Sequence, residues 1–315
     1  MSALRIGAES AGWAGVLAGA AGVALHFSPL DARLPVLAAA LAPYLMLGAL
    51  LAVPLFAGLR SWAGALVAVL VAGAAVWTQA PLFAGETPAG SGPELTVAQA
   101  NLLFDGADPA AFVTAMRERE VELLTVNELT PATLDGLTAA GLDALLPHRY
   151  VSPGRTAAGT GIWSRYPLTD TVEFDGFVLN QLAATAEIPG AGPVRVFALH
   201  PVPPVHGIDV WAGELERLRA IVAAAPAERP VVVGGDFNAT HDHAQFRRWL
   251  TGRFRDAAEQ AGAGFLRTYP TDKAYPPLVG IDHILLAGAA AAEVHTVALP
   301  GADHRALVAR LRLHS

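Results

Sequence analysis

Apolar residues fall in two regimes along this chain. In the first, Ala11 to Phe27 ("AGWAGVLAGAAGVALHF"), Leu34 to Leu59 and Trp62 to Gly85 carry no formal charge. A bilayer core about 30 Å thick is crossed by roughly 20 apolar residues of helix. The pattern therefore predicts three transmembrane helices, at about 11–27, 34–59 and 62–83. The first is the shortest, and Arg5 ahead of its apolar run also fits a signal peptide. Two further spanning segments would anchor the chain in either case. Gly15 and Gly19 stand four apart, with Ala11 and Gly22 near the same face. That spacing lets helices approach closely in lipid.

The second regime begins after "GETPAGSGPE", whose Gly, Pro, Ser and Thr read as a linker. The expected organisation is a membrane domain over 1–85, a linker over 86–94 and a second domain over 95–315. Strand-like runs occur at 95–104, 122–129, 160–165, 181–188, 194–200, 231–237, 281–288 and 306–313. Helical patterns occur at 108–119, 131–140, 211–225 and 242–250. Strands outnumber helices and do not alternate strictly with them, so the expected class is α/β of the α+β kind. Two packed sheets with helices outside fit this better than one doubly wound sheet.

Composition changes the picture in three ways. Hydrophobic residues make up 53% of the 315, and the excess sits in the first domain. The positive-inside rule rests on Arg5 and Arg60 against Arg33, two to one for a cytoplasmic N-terminus, so three spans would put the second domain outside. Residues 93–315 hold 25 Asp and Glu against 18 Lys and Arg, a net of −7, with Lys273 the sole lysine. No basic stripe marks a grip on nucleic-acid backbone. The absence of cysteine decides nothing about compartment.

Candidate chemistry centres on "VVVGGDFNAT". In extended chain, residues i and i+2 point the same way, so Asp236 and Asn238 project together beyond a buried strand. A carboxylate there can hold a metal or orient water, although a simple Asx turn also explains the pair. Asn101 in "QANLLF" and Glu128 in "LTVNELT" place costly polar groups in apolar strands. Mg²⁺ takes one or two carboxylates plus waters and phosphate oxygens. "GIDHILL" and "GADHRALVARL" add Asp282 and the Asp303–His304 pair. His283, next to Asp282, should face the other way. Thr240 or Asp242 in "NATHDH" reads as a helix cap.

In this order, the motifs resemble the endonuclease/exonuclease/phosphatase superfamily over roughly residues 95–313. The resemblance implies a four-layer α/β/β/α sandwich, here preceded by three transmembrane helices, and a Mg²⁺- or Mn²⁺-dependent phosphoric ester hydrolase. It implies that Glu128 is the principal metal ligand, with Asp303 and Asn101 also serving the metal. Asp236 would activate water, Asn238 hold phosphate, and Asp282 orient His304. His200, ending "VRVFALH", matches a phosphate-binding or acid histidine. Arg165, in "GTGIWSRYPL", is a candidate substrate contact. Ala302 and Gly280 depart from residues common in the family. Leu103 stands where some nuclease members carry a carboxylate, which favours a one-metal site.

The three-span layout is similar to bacterial members associated with teicoplanin-type glycopeptide resistance. The expected substrate is a lipid phosphate or pyrophosphate at the outer membrane surface, with the lipid bilayer as partner and no strong nucleic-acid binding. An extracytoplasmic nuclease and a non-catalytic sensor are the competing readings. Oligomeric state is not legible.

Overall fold

The computed structural model describes residues 3–86 and 92–314, and the central part of the stretch read as a linker lies outside them. The chain forms two compact units, Met1–Pro81 with Thr240–Arg247, and Leu82–Ala239 with Arg248–Ser315.

The helical unit contains α1 (Ala3–His26), α2 (Arg33–Ala39), α3 (Ala42–Gly58) and α4 (Trp62–Gln79). Helices α1 and α4 are long and apolar enough to cross a membrane. The second apolar segment is not one straight helix. Helices α2 and α3 meet at a bend of 66°, so the count is three only if they form a single broken span. Pro43 at the start of α3 provides a reason, since proline cannot continue a preceding helix undistorted. The small-residue stripe of α1 has a partner in α3. A Cβ on Gly15 would lie 2.6 Å from the Gly48 carbonyl oxygen, and one on Gly19 would lie 2.4 Å from Ala49 Cβ. The backbones approach because both sides lack bulk.

The second unit, opening within α5 (Pro81–Ala84), is a two-sheet sandwich. One sheet uses β1 (Glu94–Asn101), β2 (Leu123–Asn127), β3 (His148–Ser152), β4 (Thr160–Ser164), β11 (Ala289–Ala298) and β12 (Arg305–Leu313), in the order β11-β12-β1-β2-β4-β3. The other uses β5 (Leu168–Glu173), β6 (Leu182–Ile188), β7 (Gly192–Leu199), β8 (Val231–Asp236), β9 (Arg255–Asp256) and β10 (Asp282–Ala287), in the order β5-β6-β7-β8-β10-β9. Helices α6 (Pro109–Glu118), α7 (Pro131–Ala139), α8 (Leu142–Leu145), α9 (Ile208–Ala223) and α11 (Ala257–Ala261) complete this unit, and the short α10 (Ala244–Arg247) belongs to the helical unit.

Alternation sorts the side chains. Val97 and Leu123 enter the core shared with Val196, Val232 and Ile284 of the other sheet. Their neighbours Ala98 and Leu124 join Phe112 and Met116 of α6 on the outer face. Strands buried on both faces read as continuous apolar runs. The sequence pattern passed over β3, β5, the two-residue β9 and β11. The run "AAAAEVHTVA" of β11 opens on four alanines, which carry little strand preference; it is a strand over Ala289–Ala298 because it pairs with β12.

Topology brings the polar ends to one rim. Strands β1 and β2 run parallel, as do β7 and β8, so their carboxyl ends lie together. Strand β10 enters antiparallel with Asp282 opposite Asp236. Strand β12 starts beside the end of β1, with Leu307 opposite Gln99.

Candidate active site

Glu128 shows how the rim is made. It follows Asn127, whose side chain faces the space between the sheets, so alternation would turn Glu128 to the helix side. Its backbone instead takes φ 58°. This left-handed conformation is costly for a non-glycine residue, and it sends the carboxylate to the rim. There Asn101 Nδ2 donates to Glu128 Oε1 (3.1 Å) and to Asp236 Oδ2 (3.1 Å). Asn101 Oδ1 accepts from the Leu103 N–H (3.0 Å). The amide thus presents nitrogen, not oxygen, to the carboxylates. In this arrangement the Asn101 amide holds the Glu128 and Asp236 carboxylates together through its nitrogen, while its oxygen is taken by the Leu103 N–H.

Asp236 combines turn and site. Its Oδ1 accepts from the Asn238 N–H (2.9 Å), closing an Asx turn, while Asn238 takes φ 50°, which asparagine tolerates well. Asp236 Oδ2 lies 3.7 Å from both His200 Nε2 and His304 Nε2. Asn238 Nδ2 donates to the Pro201 carbonyl (3.1 Å). His304 Nδ1 pairs with Asp282 Oδ2 at 2.8 Å, its Nε2 lies 3.9 Å from Asp303 Oδ1, and the Tyr269 ring sits 4.8 Å from its own.

Burial and mutual charge set the proton affinities. Burial raises Glu128, partly offset by the Asn101 hydrogen bond, and burial likewise raises Asp303 and Asp236. Burial alone would lower His304, but Asp282, Asp236 and Asp303 outweigh it and hold the imidazolium up to about 10. His200 has no such excess of carboxylates, and burial takes it down to about 4. Near neutral pH the rim therefore holds one charged and one neutral histidine.

The donor set suits a divalent cation. Asp236, Asp282 and His304 bring carboxylate and ring atoms within 4.8 Å of one another. A charged imidazole has no lone pair for a metal, so a cation here would fall to the carboxylates. Among the described residues, Glu128 Oε2, Asp282 Oδ1 and Asp303 Oδ1 are buried without a hydrogen-bond partner. Buried carboxylate oxygens left unpaired are expensive, and a metal ion relieves that cost.

One expected residue behaves differently. Arg165 is not at the rim: β4 runs antiparallel to β2, which leaves Arg165 beyond Ser164 at the far end, paired with Glu122 at 3.2 Å. This overturns its reading as a substrate contact. The "THDH" stretch precedes α10, with the Thr240 hydroxyl accepting from the Asp242 N–H (3.3 Å), and Thr240–Arg247 packs within the helical unit. His283 faces away as expected, with Nδ1 against Asp256 Oδ2 (2.7 Å) and Nε2 against the Ala239 carbonyl (2.9 Å).

Sequence reasoning missed Asn127. Its Oδ1 accepts from the Asp236 N–H (2.9 Å) and from Gln99 Nε2 (2.7 Å), and its Nδ2 donates to the Leu199 carbonyl (3.1 Å). One side chain thereby joins the two sheets directly behind Asp236. The signal was present as a polar residue at an inward-facing position of β2. Gln181 was missed for the same reason, and it grips the His200 backbone through both ends of its amide (2.7 Å each).

The profile of the Endonuclease/Exonuclease/phosphatase family matches residues 98–304, from within β1 to His304. The chain belongs to this family. Its members are hydrolases of phosphoester bonds, usually with a divalent metal. No curated protein sequence matches the chain. Among solved structures, a humanized D. rerio TDP2 carrying 14 mutations has a TM-score of 0.60 at 17% identity, covering 70% of this chain and 99% of its own. An endonuclease/exonuclease/phosphatase from Bacteroides vulgatus gives 0.57 at 19% identity, covering 70% and 100%. One from Beutenbergia cavernae gives 0.56 at 19%, covering 70% and 72%. Identities this low speak for the fold.

Proposed function

We propose that the protein is a membrane-anchored, divalent-metal-dependent phosphohydrolase acting on a lipid-linked phosphate or pyrophosphate at the outer membrane surface. The observation that carries this reading is the rim of Asn101, Glu128, Asp236, Asp282 and His304 in one chain with helices apolar enough to span a bilayer. Covalent distance supports the surface location. Only Ala80 and Pro81 separate the end of α4 from Leu82, whose carbonyl already accepts from Gly264 inside the catalytic unit.

Glu128 and Asp303 would hold the cation. When bound, it neutralises charge on the phosphoryl oxygens and polarises phosphorus. Asp236 Oδ2 receives the proton of the attacking water. Asn238 has a second amide hydrogen beyond the one given to Pro201, and this is available for a phosphoryl oxygen. His304, fixed by Asp282 and positively charged, donates to the oxygen on which charge develops. His200, neutral at the same pH, contributes a hydrogen-bonding nitrogen without adding charge.

A nuclease reading has one observation in its favour, since another D. rerio TDP2 structure similar in fold holds single-strand DNA product. Against it stand the acidic catalytic region and arginines already committed to carboxylates, such as Arg149 to Asp143 and Arg219 to Glu216. The test is phosphate or headgroup release by the full-length protein with Mg²⁺ or EDTA, on polyprenyl pyrophosphate, phosphoinositide, sphingomyelin and single-stranded DNA. Metal-dependent release from a lipid substrate is expected. Preferential cleavage of DNA would replace this reading with the nuclease one.

A further inference from the structure

The chain leaves the catalytic unit after Ala239 and rejoins it at Arg248, and the intervening Thr240–Arg247 is packed as part of the helical unit. Asp242 is 2% exposed there. Its Oδ1 accepts from His26 Nδ1 (2.8 Å), the last residue of α1, and from Gln79 Nε2 (2.9 Å), the last residue of α4. His243 Nδ1 accepts from the Thr240 N–H (2.8 Å), and its Nε2 donates to the Val36 carbonyl of α2 (2.9 Å). Gln245 Nε2 donates to Asp31 between α1 and α2 (2.6 Å), and Arg247 donates to the His26 carbonyl.

An anchor needs none of this. Apolar helices of sufficient length hold a protein in a bilayer by themselves. A buried carboxylate is instead a liability unless its partners are in place, and here the partners come from two helix ends. They form a fitted polar receptor for eight residues. That segment begins two residues after Asn238, whose backbone N–H closes the turn on Asp236.

We propose that the helical unit is a positioning part of the catalytic site. His26 and Gln79, through Asp242, fix the start of Thr240–Arg247 and, through the chain itself, the Asp236–Asn238 turn. In its kinetic form the proposal rests on the hydrolase reading above.

The test uses the full-length protein in phosphatidylcholine nanodiscs, with Mg²⁺ and bis(4-nitrophenyl) phosphate as probe. His26→Ala is expected to lower kcat about tenfold with little change in KM, a loss of the size that small misplacements produce. His26→Asn keeps a donor at the same position and should restore most of it. In combination with Asn238→Ala, the His26→Ala variant should cost no more than Asn238→Ala alone, because both act through one turn. Hydrogen exchange at the Asn238 amide should accelerate in His26→Ala and return in His26→Asn. Multiplicative losses, or exchange at Asn238 unchanged in His26→Ala, would overturn the proposal. If His26→Ala does not fold, the comparison passes to Asp242→Asn, which removes the charge from the receptor, and the same double-variant and exchange outcomes decide. If the wild-type protein hydrolyses no phosphoester yet exchange at Asn238 responds to His26, the hydrolase reading fails and the positioning role stands.

Discussion

Three costs to stability meet at Glu128. Its left-handed backbone stores strain, its burial raises its proton affinity, and its Oε2 has no hydrogen-bond partner among the described residues. Each feature is a cost to stability, and together they suit a cation ligand. Replacing Glu128 with Gln keeps shape and removes charge. Hydrolysis should fall by about 10²-fold or more, and the thermal stabilisation by Mg²⁺ should disappear with it. Retained Mg²⁺ stabilisation in this variant would move the metal site elsewhere. Asp282 and His304 form the second residue-scale unit, joined at 2.8 Å. Groups acting together lose activity non-additively. Asp282→Asn and His304→Ala are each expected to slow hydrolysis about 10²–10⁴-fold, and the double variant should be little slower than His304→Ala. Additive losses would show that Asp282 does not work through the histidine.

At the scale of elements, the rim depends on how closely the two sheets stack behind it. Gly234 in β8 faces Thr125 of β2, and a Cβ on Gly234 would fall 2.0 Å from Thr125 Oγ1. Gly234→Ala should therefore destabilise the fold by about 1–3 kcal/mol, seen as a lower thermal midpoint. Activity should fall too, because Thr125 donates to Gln99 and Gln99 to the Asn127 that supports Asp236. A variant as stable and active as the wild type would mean that the sheets can part here freely. Strands carrying apolar runs, such as β1, β2, β8 and β10, were legible because both their faces are buried. Strand β11 was not, because alanine carries no strand signal apart from the partner strand. The bend between α2 and α3 was also hidden: an uncharged run reads as one span whether or not it is straight.

At the scale of the whole molecule, metal and pH are linked. Burial makes Glu128, Asp236 and Asp303 hold their protons to higher pH than ordinary carboxyls. A divalent cation binds the ionised forms and must displace those protons. Its apparent affinity therefore rises with pH through the range in which the raised carboxyls ionise, and falls as pH drops below it. Ligand at about 100 times its dissociation constant stabilises a fold by roughly 2.7 kcal/mol. At fixed subsaturating Mg²⁺, the rise in thermal midpoint should be larger near about pH 8 than near about pH 6. A rise that is equal or larger at the lower pH would contradict the assignment of Glu128 and Asp303 to the cation.

The sequence alone determined the class of the second unit, its family and most of the residues at its rim. Apolar periodicity and a motif such as Asp236-Phe237-Asn238 are local, and local pattern survives without coordinates. It also determined that the chain holds helices apolar enough for a bilayer. Tertiary structure decided the rest. Arg165 lies far from the rim because an antiparallel strand carries it there. Asn101 shows its amide nitrogen to the acids because Leu103 takes the oxygen. Asn127 ties the sheets together, and Asp242 is received by His26 and Gln79. These pairings join residues far apart in sequence, and strand direction, sheet stacking and chain path set them, none of which a linear pattern encodes.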